Sequence, residues 1–135
     1  MKKYFMHKNY LALAAIFGGL AVALGAFGAH GLEKLTSDEK ILHGFQTGVQ
    51  YQLYHGLALM VISIIFEKIP HHFIKWAAVC FISGIILFSG SLYLLTFLKI
   101  QGSSIIRYIG PMTPLGGIFF MAGWLFLLMG VVKKK

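Results

Sequence analysis

Six side chains combine hydrogen-bonding chemistry with positions in or beside long apolar runs: His30, Gln50, Tyr51, Tyr54, His55 and Thr113. Four of them fall within Thr47–Ala58, TGVQYQLYHGLA, a stretch that continues apolar to Phe66. At 100° per residue, Thr47, Gln50, Tyr51, Tyr54, His55 and Ala58 share one arc, with Val49, Leu53, Met60 and Ile64 opposite. Hydrocarbon offers such a stripe no partner, so at membrane depth it must face protein or trapped water. Imidazole, amide, phenol and hydroxyl groups gathered there suit hydrogen bonding to a lipid headgroup or a small solute. A second chemistry is haem or redox work, with His30 and His55 as axial ligands. Their expected depths differ by about 10 Å, from a 1.5 Å rise over roughly seven residues. The structural alternative is a set of interhelical bonds worth about 0.6 kcal/mol each that only hold the helices together.

No sequence motif assigns a catalytic residue. There is no H-x-x-x-H, no G-x-S-x-G and no P-loop. No metal site and no cofactor is expected, and the apolar runs carry no Asp or Glu at depth for a proton relay. The reading is therefore non-enzymatic, with a membrane enzyme using His55 kept as an alternative. His71 and His72 are expected to be solvated in a short turn.

The elements that must position these groups follow from hydropathy. Of 135 residues, 58% are hydrophobic and 12% charged, against about 25% charged in average globular chains. Mean hydropathy is +0.78. These values predict a single integral membrane domain over residues 1–135. The net charge of +8 belongs to residues at the ends of apolar runs, which points to lipid headgroups and topology and away from nucleic acid. Cys80 reads as a small core hydrophobe.

Four membrane-crossing helices are expected, at about 9–31, 37–66, 76–98 and 114–132, each near the roughly 20 residues that span a bilayer. The GAFGA near the end of helix 1 resembles a signal-peptidase site, but its apolar run exceeds a signal peptide's, so helix 1 is expected to be retained. Thr36 and Glu39 fit a capping box that starts helix 2 near Ser37. Helix 2 is then roughly 45 Å long, with Gly44 and Gly48 as bend or close-contact points and Pro70 as its stop. Thr113 and Pro114 read as the N-cap and first residue of helix 4. Small residues four apart in helix 1, such as Ala15 and Gly19, and Gly116, Gly123 and Gly130 at heptad spacing in helix 4, are close-packing seams. Either seam could serve the chain's own bundle or a homo-oligomer.

Lys2, Lys3, Lys8, Lys68, Lys75 and the three lysines of residues 133–135 fall on one side of this arrangement. Lys34, Lys40, Lys99 and Arg107 fall on the other. The positive-inside rule then places both termini in the cytoplasm of a bacterial-type plasma membrane. The fold class is all-α, a four-transmembrane-helix antiparallel bundle. On this topology His30, the Tyr51–His55 stretch and the Thr113 end of helix 4 converge on the outer leaflet. That convergence makes an outer-leaflet pocket for lipid or small solute, or a membrane partner subunit, the first functional reading, with an oligomeric transporter or channel as alternative. The inner half of helix 2 is apolar except for Ser63, which argues against a wet pore through one copy.

Four motifs carry a family resemblance: GAFGAHGL at 25–32, YQLYHGLAL at 51–59, LFSGSLYLL at 87–95 and GPMTPLGG at 110–117. They resemble the small membrane proteins of domain-of-unknown-function family 423, the UPF0382 family, and mitochondrial transmembrane protein 256 is similar. The resemblance spans nearly the whole chain and implies a short four-helix integral membrane protein. The motif positions include Gly28, His30, Gly31, Tyr51, Tyr54, His55, Gly56, Ser89, Gly90, Tyr93, Pro111, Thr113, Pro114, Gly116 and Gly117. It implies no activity for them.

Overall fold

The computed structural model describes the backbone of residues 2–133 and the side chains of residues 8–133. The basic side chains of Lys2, Lys3, Lys134 and Lys135 lie outside the described residues. The chain is all-helical, and four of its helical rods are long and apolar enough to cross a membrane. The first is α1, Lys2–His30, followed by a 3-10 turn at Leu32–Lys34. The second is α2, Glu39–Lys68. The third rod comprises α3 (His72–Gly84), a π-helical turn (Ile85–Ser89) and α4 (Gly90–Ile100). A single turn, α5 (Ile106–Ile109), leads into the fourth rod, α6 (Met112–Val132).

Besides α1, which begins at Lys2 and not near residue 9, three helix starts differ from the sequence expectation, two of them because an unforeseen side chain caps the first free N–H groups. At α2 the cap is Asp38, whose Oδ1 accepts from the Lys40 N–H at 2.9 Å. Thr36 sits outside the helix and accepts from the Asp38 N–H, so the helix begins at Glu39 and not near Ser37. The third rod begins at His72, four residues before Trp76, because His71 Nδ1 accepts from the Phe73 N–H at 3.2 Å. His71 is thus a cap and not a free solvated side chain. Partial desolvation, then the nearby charges of His72 and Lys133, hold its pKa below the ordinary histidine value. The neutral ring that the cap requires is therefore the favoured form at neutral pH, and the cap is lost as pH falls through that lowered pKa. The fourth helix begins at Met112, so Thr113 is a helical residue whose hydroxyl points sideways and caps nothing.

The rods pack in chain order, antiparallel. Gly25 meets Val49 and Gly28 meets Phe45 between α1 and α2, while Gly84 meets Phe120 and Gly130 meets Ile74 between the third rod and α6. The principal neighbour of α1 is α2, and α6 leans chiefly on the third rod. Only 11% of the most apolar window of the first span is buried, against 39% and 44% for the second and third. The core lies along the α2–third rod seam, with Leu59, Ile62, Ile74, Ala77 and Phe81, and Phe120 of α6 joins it. Cys80 is buried there too. Leu20, Val22, Val61, Ile64, Ile86, Ile118, Met121 and Leu128 are more than half or about half exposed, which forms the apolar coat a lipid-facing surface needs.

Gly116, Gly123 and Gly130 of α6 all face the third rod. A Cβ on Gly116 would overlap the Phe88 backbone, one on Gly123 the Phe81 ring, and one on Gly130 the Ile74 side chain. This seam is used inside the chain, which corrects the expectation that helix 4 could offer it to a second copy. Of the two glycines expected to shape α2, Gly48 is pressed against Tyr93 and Leu92, whereas Gly44 has open space around it.

Candidate functional site

Phe45, Gly48, Gln52, His55, Gly56, Leu59, Ile62, Ser63 and Phe66 form the buried face of α2. That face is turned from the expected polar arc by about one residue, roughly 100°. His55 and Ala58 lie at the shared edge and are buried. Tyr51 and Tyr54 are 39% and 55% exposed, and Gln50 is exposed. Thr47 bonds the carbonyl of His43 one turn back. The rotation arises because α2 has α1 on one flank and the third rod on the other, and the face between them is the one that closes.

The polar groups divide into two clusters and a groove. The first cluster centres on His55, near the middle of the 30-residue α2 and so deeper than the outer half expected for it. Trp124 Nε1–H donates to His55 Nε2 at 3.1 Å. Indole is only a donor, so Nε2 must be the unprotonated nitrogen. His55 Nδ1–H accordingly donates to the Tyr51 carbonyl at 2.8 Å. The ring is neutral, its tautomer is fixed, and both nitrogens are committed. Phe120 stacks on it at 3.6 Å between centroids and 11° between planes, and Phe81 meets it edge-on. Tyr51 covers Phe88 at 4.7 Å. The chemistry available here is cohesion.

The prediction for this cluster is a double-mutant cycle. His55→Leu leaves the Trp124 N–H without a partner at the apolar surface, which is expected to cost about 1–3 kcal/mol. Trp124→Phe removes the donor, and the double variant is expected to lose less than the two single variants together. Thermal melts of the four proteins in one detergent read the coupling; strict additivity would show that the bond contributes nothing.

The second cluster ties three rods together through Gln52, which the polar arc omitted. Tyr93 O–H donates to Gln52 Oε1 at 2.7 Å, and Gln52 Nε2 donates to the Phe17 carbonyl of α1 at 2.8 Å. Beside it, Ser89 of the π-helical turn donates to the Gly48 carbonyl at 2.6 Å. Ser91 bonds the Thr113 hydroxyl of α6 at 2.6 Å and its own Phe88 carbonyl. Gln52 was legible as a member of the series Phe45, Gly48, Gln52, Gly56 and Leu59, spaced three or four apart.

His30, His55 and Thr113 do not meet in one pocket. His30 is exposed at the end of α1, Thr113 is paired with Ser91, and His55 is enclosed by aromatic rings. Among the described residues no group of three His, Cys, Asp or Glu gathers as a metal site. With His55 fully bonded and His30 elsewhere, the geometry does not present the two as a ligand pair.

The open space lies elsewhere, between the last turns of α1 and the first turns of α2. A cavity of about 320 Å³ is lined by Gly25, Gly28, Ala29, Glu33, Leu42, Phe45, Gln46, Val49 and Gln50. Of the six sequence candidates only Gln50 borders it. Gln46 and Gln50 stand one helical turn apart on the same wall, and Glu33 comes from the 3-10 turn that joins α1 to α2. None of these three side chains has a hydrogen-bond or ion-pair partner among the described residues. The signal that could have found the cavity is the run of small residues Gly25, Gly28 and Ala29 on α1, which lines it where Gly25 and Gly28 let Val49 and Phe45 of α2 come close.

The family description "Protein of unknown function (DUF423)" matches residues 24–117, which include Glu33, Gln46, Gln50, Gln52 and His55. The chain belongs to this family. Among its relatives, a UPF0382 membrane protein of Bacillus subtilis, YwdK, is 42% identical, with 93% of this chain and 98% of that protein covered. A UPF0382 membrane protein of Staphylococcus haemolyticus is 40% identical over 93% of this chain and 97% of its own length. One from Schizosaccharomyces pombe is 38% identical, covering 87% and 96%. No solved structure matches the chain. These relatives and the four apolar spans make it an integral membrane protein of the DUF423 family.

Proposed function

We propose that the chain is a non-enzymatic membrane protein that holds a lipid headgroup or small polar solute in the α1–α2 cavity. The observation that carries this reading is the cavity's lining. Gly25, Ala29, Leu42 and Val49 give it an apolar wall, and Glu33, Gln46 and Gln50 give it polar groups without a partner among the described residues. At the headgroup level an occupant able to donate and accept hydrogen bonds gives these exposed polar groups direct partners. The lysine bias of the sequence supports both termini in the cytoplasm of a bacterial-type plasma membrane. The cavity, at the end of the bundle away from Lys8 and Lys133, then faces the outer leaflet.

Ala29 is exposed on the cavity wall, so Ala29→Trp is expected to fill the space while leaving the core untouched. Native mass spectrometry of lipids retained through detergent washing checks it. The expected result is loss of retained lipid or solute in the variant with an unchanged melting temperature in ligand-free detergent. Equal retention by both proteins refutes the reading.

A second reading, assembly with a partner or second copy, draws on α1. Gly18 and Gly19 have nothing within 4 Å of where a Cβ would sit, and the rod packs chiefly on α2. The mass of the detergent-solubilised particle separates a monomer from an oligomer.

A further inference from the structure

Resting on that cavity reading, we infer that its occupant carries a primary ammonium group, with the Glu33 carboxylate as counter-charge and the Gln46 and Gln50 amide oxygens as acceptors. Glu33 is one of only four acidic residues in a chain of net charge +8, and it is the one ionisable side chain lining the cavity. No Lys, Arg or His lines it, so an anion that brings no cation of its own would face the Glu33 charge with nothing to offset it. The rest of the lining, including Gly28, Leu42, Phe45 and Val49, is apolar, which favours a ligand whose polar end is small.

A primary ammonium presents three N–H donors, and the wall offers it a carboxylate and two amide oxygens. A trimethylammonium presents none and cannot use them. A phosphatidylethanolamine headgroup and free ethanolamine share the required chemistry; phosphatidylcholine and phosphatidylglycerol lack it.

The experiment is a lipid titration of the full chain in detergent, read by native mass spectrometry, with phosphatidylethanolamine, phosphatidylcholine and phosphatidylglycerol of the same acyl chains. Phosphatidylethanolamine is expected to bind roughly tenfold more tightly than either of the others, the scale of a charge-assisted hydrogen bond. Glu33→Gln is expected to erase that preference while leaving the melting temperature in lipid-free detergent unchanged, since Glu33 holds no other element in place. Competition with free ethanolamine decides the source. Displacement shows that the amine alone suffices, and retention shows that the lipid is the ligand. Equal binding of the three lipids, or a preference that survives Glu33→Gln, overturns the ammonium inference. If Ala29→Trp still abolishes that binding, the cavity reading stands without it; if Ala29→Trp changes nothing, both fall.

Discussion

Gly116→Ala is expected to destabilise the protein by about 3 kcal/mol or more, at the upper end of what overpacking costs. The added methyl would overlap the backbone nitrogen, Cα and Cβ of Phe88. A flexible side chain could swing away, but a helix backbone moves only if the third rod separates from α6. The separation would carry Phe120 and Trp124 away from His55, since both belong to α6. The control is the adjacent residue. A Cβ on Gly117 reaches the Phe88 ring at 3.9 Å, an ordinary contact, so Gly117→Ala is expected to be neutral or slightly stabilising through helix propensity. Melting curves of both variants in the same detergent test the pair, and similar curves would show that α6 does not sit this close to the third rod.

The second large effect is expected at Gln52. Its amide joins α1 to the third rod through α2, accepting from Tyr93 and donating to the Phe17 carbonyl. Gln52→Leu keeps the volume but removes the acceptor of the Tyr93 O–H, whose remaining side-chain partner is Ser89, and the expected cost is about 1–3 kcal/mol. Interhelical hydrogen bonds in membranes average only about 0.6 kcal/mol, so a larger loss would come from the Tyr93 O–H left without its acceptor and not from the bond itself. Tyr93→Phe in the Gln52→Leu background removes that O–H and is expected to recover part of the loss. Because Gln52 holds the peripheral rod, amide exchange in α1 is expected to rise more than in α6. Uniform exchange across the four rods would show that Gln52 does not anchor α1 in particular.

The two expectations have one cause. A membrane bundle gains little from the hydrophobic effect between its helices, so close backbone approach and a few buried hydrogen bonds carry the specificity. Glycine provides the first along α6, and Gln52, His55, Ser89 and Ser91 provide the second along α2 and the third rod. The α1–α2 pair is close at Gly56, which faces Phe17 and Gly18, but a cavity opens farther along between the same two rods.

Hydropathy determined the four crossings, because about 20 apolar residues in a row have no soluble alternative of this length. The four motifs of residues 25–117 determined the family for the same chain, and the heptad glycines of α6 announced a close seam. The seam's partner was decided only in three dimensions, by the third rod lying against α6. The caps at Asp38 and His71 were missed because several residues near each helix start could accept from the free N–H groups, and the winner depends on the path of the preceding turn. The polar arc of α2 located His55 and missed Gln52, since a periodic pattern gives the angle between residues and not the direction from which neighbours arrive. Gln50 stood in the polar arc, whereas Glu33 and Gln46 were scattered along the sequence among ordinary surface polars. They became a candidate site only when α1 and α2 packed with a cavity between them, and a gap between two helices is a property of their packing that neither helix carries alone.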